Sequence, residues 1–235
     1  MDLDFIFGKE IIQRMLPPGT GIIDAGCHEG AFTRFVLGEQ TSFHNAIMID
    51  PLPDKIKIVR SSFPDAKVFQ CAIADEEKDT DFYVTVDYPK CSALYDREAF
   101  DKVPALKNRS KIPVKMRRLD NLFEEINIHE MNVPGWYLKI DTEGYELESF
   151  NSLGKFKDSP IIFAGHFEYG GTWQERGLKI NDMLKILHDN GFMTLKGFQS
   201  SVGYELAEII SINEDYQFEN IFFIRKQIAN SFKPS

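Results

Sequence analysis

The chain has 235 residues, of which 43% are hydrophobic and 27% charged, the balance of a folded globular protein rather than a disordered one. A formal net charge of −9 argues against tight binding to nucleic acid or to an anionic membrane, because phosphate contacts need clustered Lys and Arg. Met1–Glu10 carries acids where a leader needs bases, Cys27, Cys71 and Cys91 show no CxxC spacing, and no apolar run approaches ~18 residues, so we expect a cytoplasmic protein without a disulfide framework.

In chain order, Phe5, Ile6, Ile11, Ile12, Met15 and Leu16 recur at helical spacing before Pro17-Pro18-Gly19, which predicts a helix within residues 1–19. Short apolar runs then alternate with amphipathic stretches. Strands are expected at Gly21–Asp24, Ala46–Asp50 and Val68–Ile73. Helices are expected from Ala31 to Leu37 and from Asp54 to Phe63, the latter with Ile56, Ile58 and Val59 inward. This alternation predicts βαβ units and a parallel sheet buried on both faces.

Between about residues 78 and 118 the rhythm breaks. Asp81–Tyr88 and the basic run Lys111–Arg118 read as strands around an irregular polar stretch, Pro89–Arg109, an inserted cap over one edge of the sheet. Alternation resumes with a strand at Trp136–Asp141, a helix at Tyr145–Leu153, a strand at Pro160–Phe167 and a helix at Ile180–Asn190 closed by Gly191. Leu206–Ile212 and Asn220–Arg225 predict a closing antiparallel hairpin. With no repeat or linker, residues 1–235 are expected to form one α/β domain.

The loop Asp24-Ala-Gly-Cys-His-Glu-Gly30 follows a buried strand and opens a helix, the position at which ligands bind in doubly wound sheets. A dinucleotide fold wants G-x-G-x-x-G, but the residue two after Gly26 is His28, so that fingerprint is absent. Asp-x-Gly-x-x-x-Gly suits instead a ligand with an ammonium and a sulfonium, which Asp24 would attract. Asp50-Pro51 closes the second strand, where an acid can accept both hydroxyls of a ribose. Cys71, Ala72 and Ile73 offer a small apolar wall for adenine. These features in this order predict S-adenosylmethionine as cofactor.

The same loop, Asp50-Pro51, Leu119-Asp120 and above all Leu138-Lys-Ile-Asp-Thr-Glu-Gly-Tyr-Glu-Leu147 resemble the FkbM family of S-adenosylmethionine-dependent methyltransferases, over about Gly21–Phe167. The resemblance implies a class I methyltransferase, Rossmann-like fold: a mostly parallel seven-stranded sheet whose last strand is antiparallel. It also implies methyl transfer, usually to a hydroxyl of a sugar or natural product. Cys27-His28-Glu29 departs from the family's usual small residue, Asn and aliphatic residue.

From the residues themselves, Asp24, Gly26, His28, Gly30, Asp50, Pro51, Cys71, Ala72, Ser92 and Asp141 are expected to bind the cofactor. Methyl transfer is an SN2 displacement that needs alignment and a base. His166, Asp141 and Glu168 are the catalytic candidates, with His166 the expected base near neutral pH. Glu143, Tyr169 and Trp173, beside the turn Gly170-Gly171, are the expected acceptor contacts. Asp141, His166 and Glu168 could also gather a divalent ion, but no metal is expected. The expected activity is O-methylation of a small-molecule or glycan acceptor, without nucleic-acid or membrane partners. N-methylation of an amine or amide and a non-catalytic binding protein of the same fold are the alternatives, and a homodimer is left open.

Overall fold

A computed structural model describes residues 3–38, 42–200, 203–213 and 219–231. The N-terminal helix α1 spans Leu3–Met15, and β1 (Gly21–Ala25), α2 (Ala31–Leu37), β2 (Ala46–Asp50), α3 (Pro53–Ser62) and β3 (Lys67–Gln70) form the first parallel units. Next come β4 (Ala72–Ile73), β5 (Lys78–Thr85), β6 (Arg109–Arg117) and α4 (Leu119–Glu125). The second half holds β7 (Trp136–Ile140), α5 (Glu146–Asn151), β8 (Ile162–Tyr169), α6 (Gly171–Glu175) and α7 (Ile180–Asp189). It ends in β9 (Phe192–Ser200), β10 (Gly203–Ile209), β11 (Glu219–Arg225) and α8 (Lys226–Ser231).

The main sheet runs β10-β9-β11-β8-β7-β1-β2-β3, and β4-β6-β5 form a second, three-stranded sheet. β1 pairs in parallel with β2 on one side and with β7 on the other, so the strand order reverses at β1, the crevice where such sheets bind ligands. β11 is antiparallel to both β8 and β9. The α/β, mostly parallel, Rossmann-like plan is therefore present.

Pleating sorts the core. Ile22, Tyr137 and Phe222 face α1, α2 and α8, while their chain neighbours Ile23, Leu138 and Phe223 face α4, α5 and α7. Burial of a side chain of this size stabilises by roughly 1.5–3 kcal/mol. Among the described residues no helix is long and apolar enough to cross a membrane.

Four expectations need correction. The predicted strand Val68–Ile73 is split at Cys71, β3 staying in the main sheet while β4 joins β6 of the second. The sheet has eight strands rather than seven, because Phe192–Ser200, where no strand was expected, adds to it. No hairpin joins the last two strands: β10 and β11 lie on opposite sides of β9. In α3, Ile56 and Val59 are buried, but Ile58 is 39% exposed, as the 3.6-residue period dictates once Ile56 faces inward.

Candidate functional site

A cavity of about 510 Å³ opens at the carboxyl ends of β1, β2 and β7, within the ~300–1,000 Å³ usual for small-molecule sites. Its floor is the turn after β1. Gly26 sits at φ +82°, and a Cβ there would lie 1.7 Å from the Asp141 carbonyl oxygen, so only glycine lets the two strand ends approach. The Gly26 and Cys27 N–H groups donate to the Ile49 carbonyl, tying the turn to β2. Gly30, at φ +80°, caps α2 and packs against Phe63 and Met48 outside the cavity.

Asp50 lines the cavity with both carboxylate oxygens in use, one accepting from His28 N–H at 2.8 Å and the other from Leu52 N–H at 2.9 Å. Burial pushes its pKa up to about 6, against these backbone donors. Around it, Leu52, Ala72, Ile73, Phe82 and Leu94 form an apolar slot, and Cys71, Pro51, His28 and Ser92 also face the cavity. Burial raises the Cys71 thiol to about 12 and the Cys27 thiol well above its ordinary value, so neither supplies a thiolate near neutral pH.

Lys139 organises the strand ends. Its Nζ lies 3.3 Å from Asp24 Oδ1 and 3.0 Å from Asp141 Oδ2, and donates to the Gly26 carbonyl at 3.1 Å. Burial alone would lower its pKa, but Asp141 and Asp24 hold it well above the usual lysine value. Asp24 is fully buried and its other oxygen accepts from Thr33 Oγ1 at 2.8 Å. Asp24 is thus held beneath the Gly26 turn rather than in the cavity, because β1 is covered on both faces.

The opposite wall is acidic. Asp141, Glu143 and Glu168 each place an oxygen within 4.8 Å of the others, at the ends of β7 and β8. Burial, then Asp141 and neighbouring acids, push Glu168 up to about 9; burial, then Asp141, push Glu143 to about 8 against the pull of Arg97. Glu146, raised by burial to about 7, is a capping group whose Oε1 accepts from Thr142 N–H and Gly144 N–H. Its location in the helix start is the ordinary one for an acid.

Besides Asp24 and Gly30, three further expected site residues do not reach the cavity. His166 is 1% exposed, lies among Phe32, Tyr137 and Phe222, and shares a 2.8 Å hydrogen bond between its Nδ1 and Tyr137 Oη. Burial, then Lys139, lower its pKa well below the usual value, so it is a neutral core histidine. Tyr169 and Trp173 are fully buried in the core on the α4–α5–α7 face; the indole N–H donates to the Glu168 carbonyl at 3.0 Å. Tyr169 is next to Glu168 in a strand, so the pleat that turns Glu168 to the cavity turns Tyr169 away.

The structure also brings in residues that sequence reasoning missed. Phe5 of α1, Phe82 of β5, Leu94 and Asn220 of β11 all line the cavity. The apolar stripe of the N-terminal helix was the available signal for Phe5; Asn220 lies across from Glu168 only through the β8–β11 register.

The family model for the methyltransferase FkbM domain matches residues 24–193. No curated protein matches the chain. Among solved structures, the chain is similar to a TehB-like SAM-dependent methyltransferase from Corynebacterium glutamicum, at 14% identity and a TM-score of 0.47, covering 96% of this chain and 89% of that one. A putative rRNA methylase from Clostridium thermocellum (11% identity, TM-score 0.45, 95% and 98% covered) and an O-methyltransferase from Bacillus cereus in complex with SAH (9%, 0.41, 96% and 82%) are also similar.

Proposed function

Because the chain belongs to the FkbM family of S-adenosylmethionine-dependent methyltransferases, we propose that it methylates a hydroxyl on a small, uncharged acceptor, with Glu168 as the base. The observation that carries this reading is the three-carboxylate wall of Asp141, Glu143 and Glu168 facing the cavity.

The residues fit the cofactor. The apolar slot of Leu52, Ala72 and Ile73 accepts an aromatic base, and Asp50 beside it keeps lone pairs for ribose hydroxyls. Gly26 and His28 border the path of the methionine portion, with Asp141 available to its ammonium. When bound, the cofactor supplies an electrophilic methyl on a sulfonium. What remains for the chain is to hold the acceptor in line and remove its proton.

Glu168 is protonated at rest, since its pKa is pushed up to about 9. Positive charge next to a carboxyl favours its ionised form. Glu168 is thereby ready to ionise when the site is loaded, and then to take the hydroxyl proton as the C–O bond forms. Asn220, across from Glu168 in the sheet and lining the same cavity, offers an amide to orient the acceptor. The wall offers carboxyl groups rather than cations, so a phosphate finds no counter-charge there, which favours a neutral acceptor over RNA.

A panel of sugars and other alcohols, the matching amines and an RNA oligonucleotide, assayed by release of S-adenosylhomocysteine, tests the reading. Turnover with an alcohol is expected. Turnover confined to amines or to RNA would overturn it.

A further inference from the structure

The wall of the cavity contributed by residues 89–94 is fastened at two ends. At one end it continues the second sheet: the Thr85 N–H donates to Ser92 Oγ at 3.0 Å, and Ala93 pairs with Tyr83 in an antiparallel bridge. At the other end the chain crosses to the main sheet. Arg97 Nη1 lies 2.9 Å from Glu143 Oε2, its Nε and Nη2 lie 3.0 and 3.2 Å from the two oxygens of Glu175, and its guanidinium sits 4.0 Å over the Phe100 ring. Tyr95 Oη donates to the same Glu175 at 2.9 Å.

These ion pairs are shielded: the side chains of Arg97, Glu143 and Glu175 are 11%, 20% and 21% exposed. Glu143 also has φ +55°, the left-handed region that disfavours a residue with a Cβ and persists only when surroundings hold it. Arg97 supplies that hold. Glu143 lines the cavity, as do Ser92, at the first fastening, and Leu94, between the two; Arg97 and Glu175 do not.

We propose that Arg97 is a positioning residue: by gripping Glu143 and Glu175 it latches the 89–94 wall over the cofactor and sets how long the spent cofactor stays bound. The proposal rests on the cofactor pocket assigned above. Release of the wall requires one guanidinium to leave both Glu143 and Glu175, which would strip two acids of their shared cation, so the closed wall is the resting state. A bidentate fork is needed because Arg97 meets two acids at once, a geometry that a lysine ammonium reproduces only in part.

The test is the dissociation rate of S-adenosylhomocysteine, measured by stopped-flow displacement on the full chain. Arg97→Ala is expected to speed dissociation about tenfold or more, with a smaller change in association. Arg97→Lys should recover part of the wild-type retention. Glu175→Gln, outside the cavity, should speed release several-fold, and combining it with Arg97→Ala should add little, because both remove the same contact. Wild-type release rates in Arg97→Ala and Glu175→Gln would overturn the latch. So would a double variant whose effects simply multiply, or Arg97→Lys releasing as fast as Arg97→Ala, since either outcome would leave Arg97 a merely structural cation. Asp50→Ala separates the two levels: undiminished binding by that variant overturns the pocket and the latch with it, whereas lost binding there with unchanged Arg97 variants overturns the latch alone.

Discussion

Asp141 belongs to two groups of acids that differ in how their charge is met. Toward β1, it and Asp24 share the ammonium of Lys139, which also holds the Gly26 carbonyl, and every partner is fixed by buried strands. Toward β8, it faces Glu143 and Glu168, where Arg97 reaches only Glu143 and the remaining charge is met by raised pKa values instead. A compensated cluster positions the backbone and has no proton to exchange. An under-compensated one in a cavity keeps protons near neutral pH, the property a general base needs.

The comparison can be broken first at Glu168. Glu168→Gln keeps the shape but cannot take a proton, so turnover with an accepted alcohol should fall by about two to four orders of magnitude while S-adenosylhomocysteine still binds. Turnover within a few-fold of wild type would move the base elsewhere. On the compensated side, Lys139→Met leaves two acids without their cation, one of them fully buried, and should cost about 3–5 kcal/mol of stability in a denaturant titration. A loss below about 1 kcal/mol would mean that Asp24 and Asp141 do not depend on it.

A smaller effect sharpens the contrast through pH. Glu146, Glu143 and Glu168 have folded-state pKa values of about 7, 8 and 9, above the ordinary carboxylate range. The native state therefore keeps protons that the unfolded chain has already shed above about pH 4.3. Their contribution to stability is full below that pH and is lost as pH rises through 7 to 9. The melting temperature should fall over that window, and Glu168→Gln should flatten the fall. Smallest is the effect of His166→Phe, which should leave kcat/KM within about threefold of wild type, because the imidazole lies in an aromatic core, bonded to Tyr137, and away from the cavity. A hundredfold loss with an intact fold would return His166 to the chemistry.

The part of the cavity lined by the first strand ends was legible because it is local. Gly26, Asp50 and Ala72 sit at strand ends set by short-range periodicity, and a strand-end residue of a parallel sheet faces the ligand edge. The acidic side of the cavity was legible only in part. Asp141 and Glu168 could be found at strand ends, but which face His166 and Tyr169 occupy depends on the helices packed over each side. Asp24 was misread for a related reason: its charge invited a ligand, while the buried ammonium that claims it lies 115 residues away in the chain. Arg97 sits in an aperiodic stretch and meets Glu175 only in three dimensions. The absent hairpin between β10 and β11 follows from the insertion of β11 between β8 and β9, a pairing that local pattern does not encode.

Titration calorimetry of wild type and Asp50→Ala with S-adenosylhomocysteine tests most directly that this cavity is the cofactor site. Loss of the carboxylate proposed to accept two ribose hydroxyls should weaken binding by about two orders of magnitude, at roughly 1.5 kcal/mol for each charged hydrogen bond. The variant should still melt cooperatively. Equal affinities in the two proteins would contradict the account.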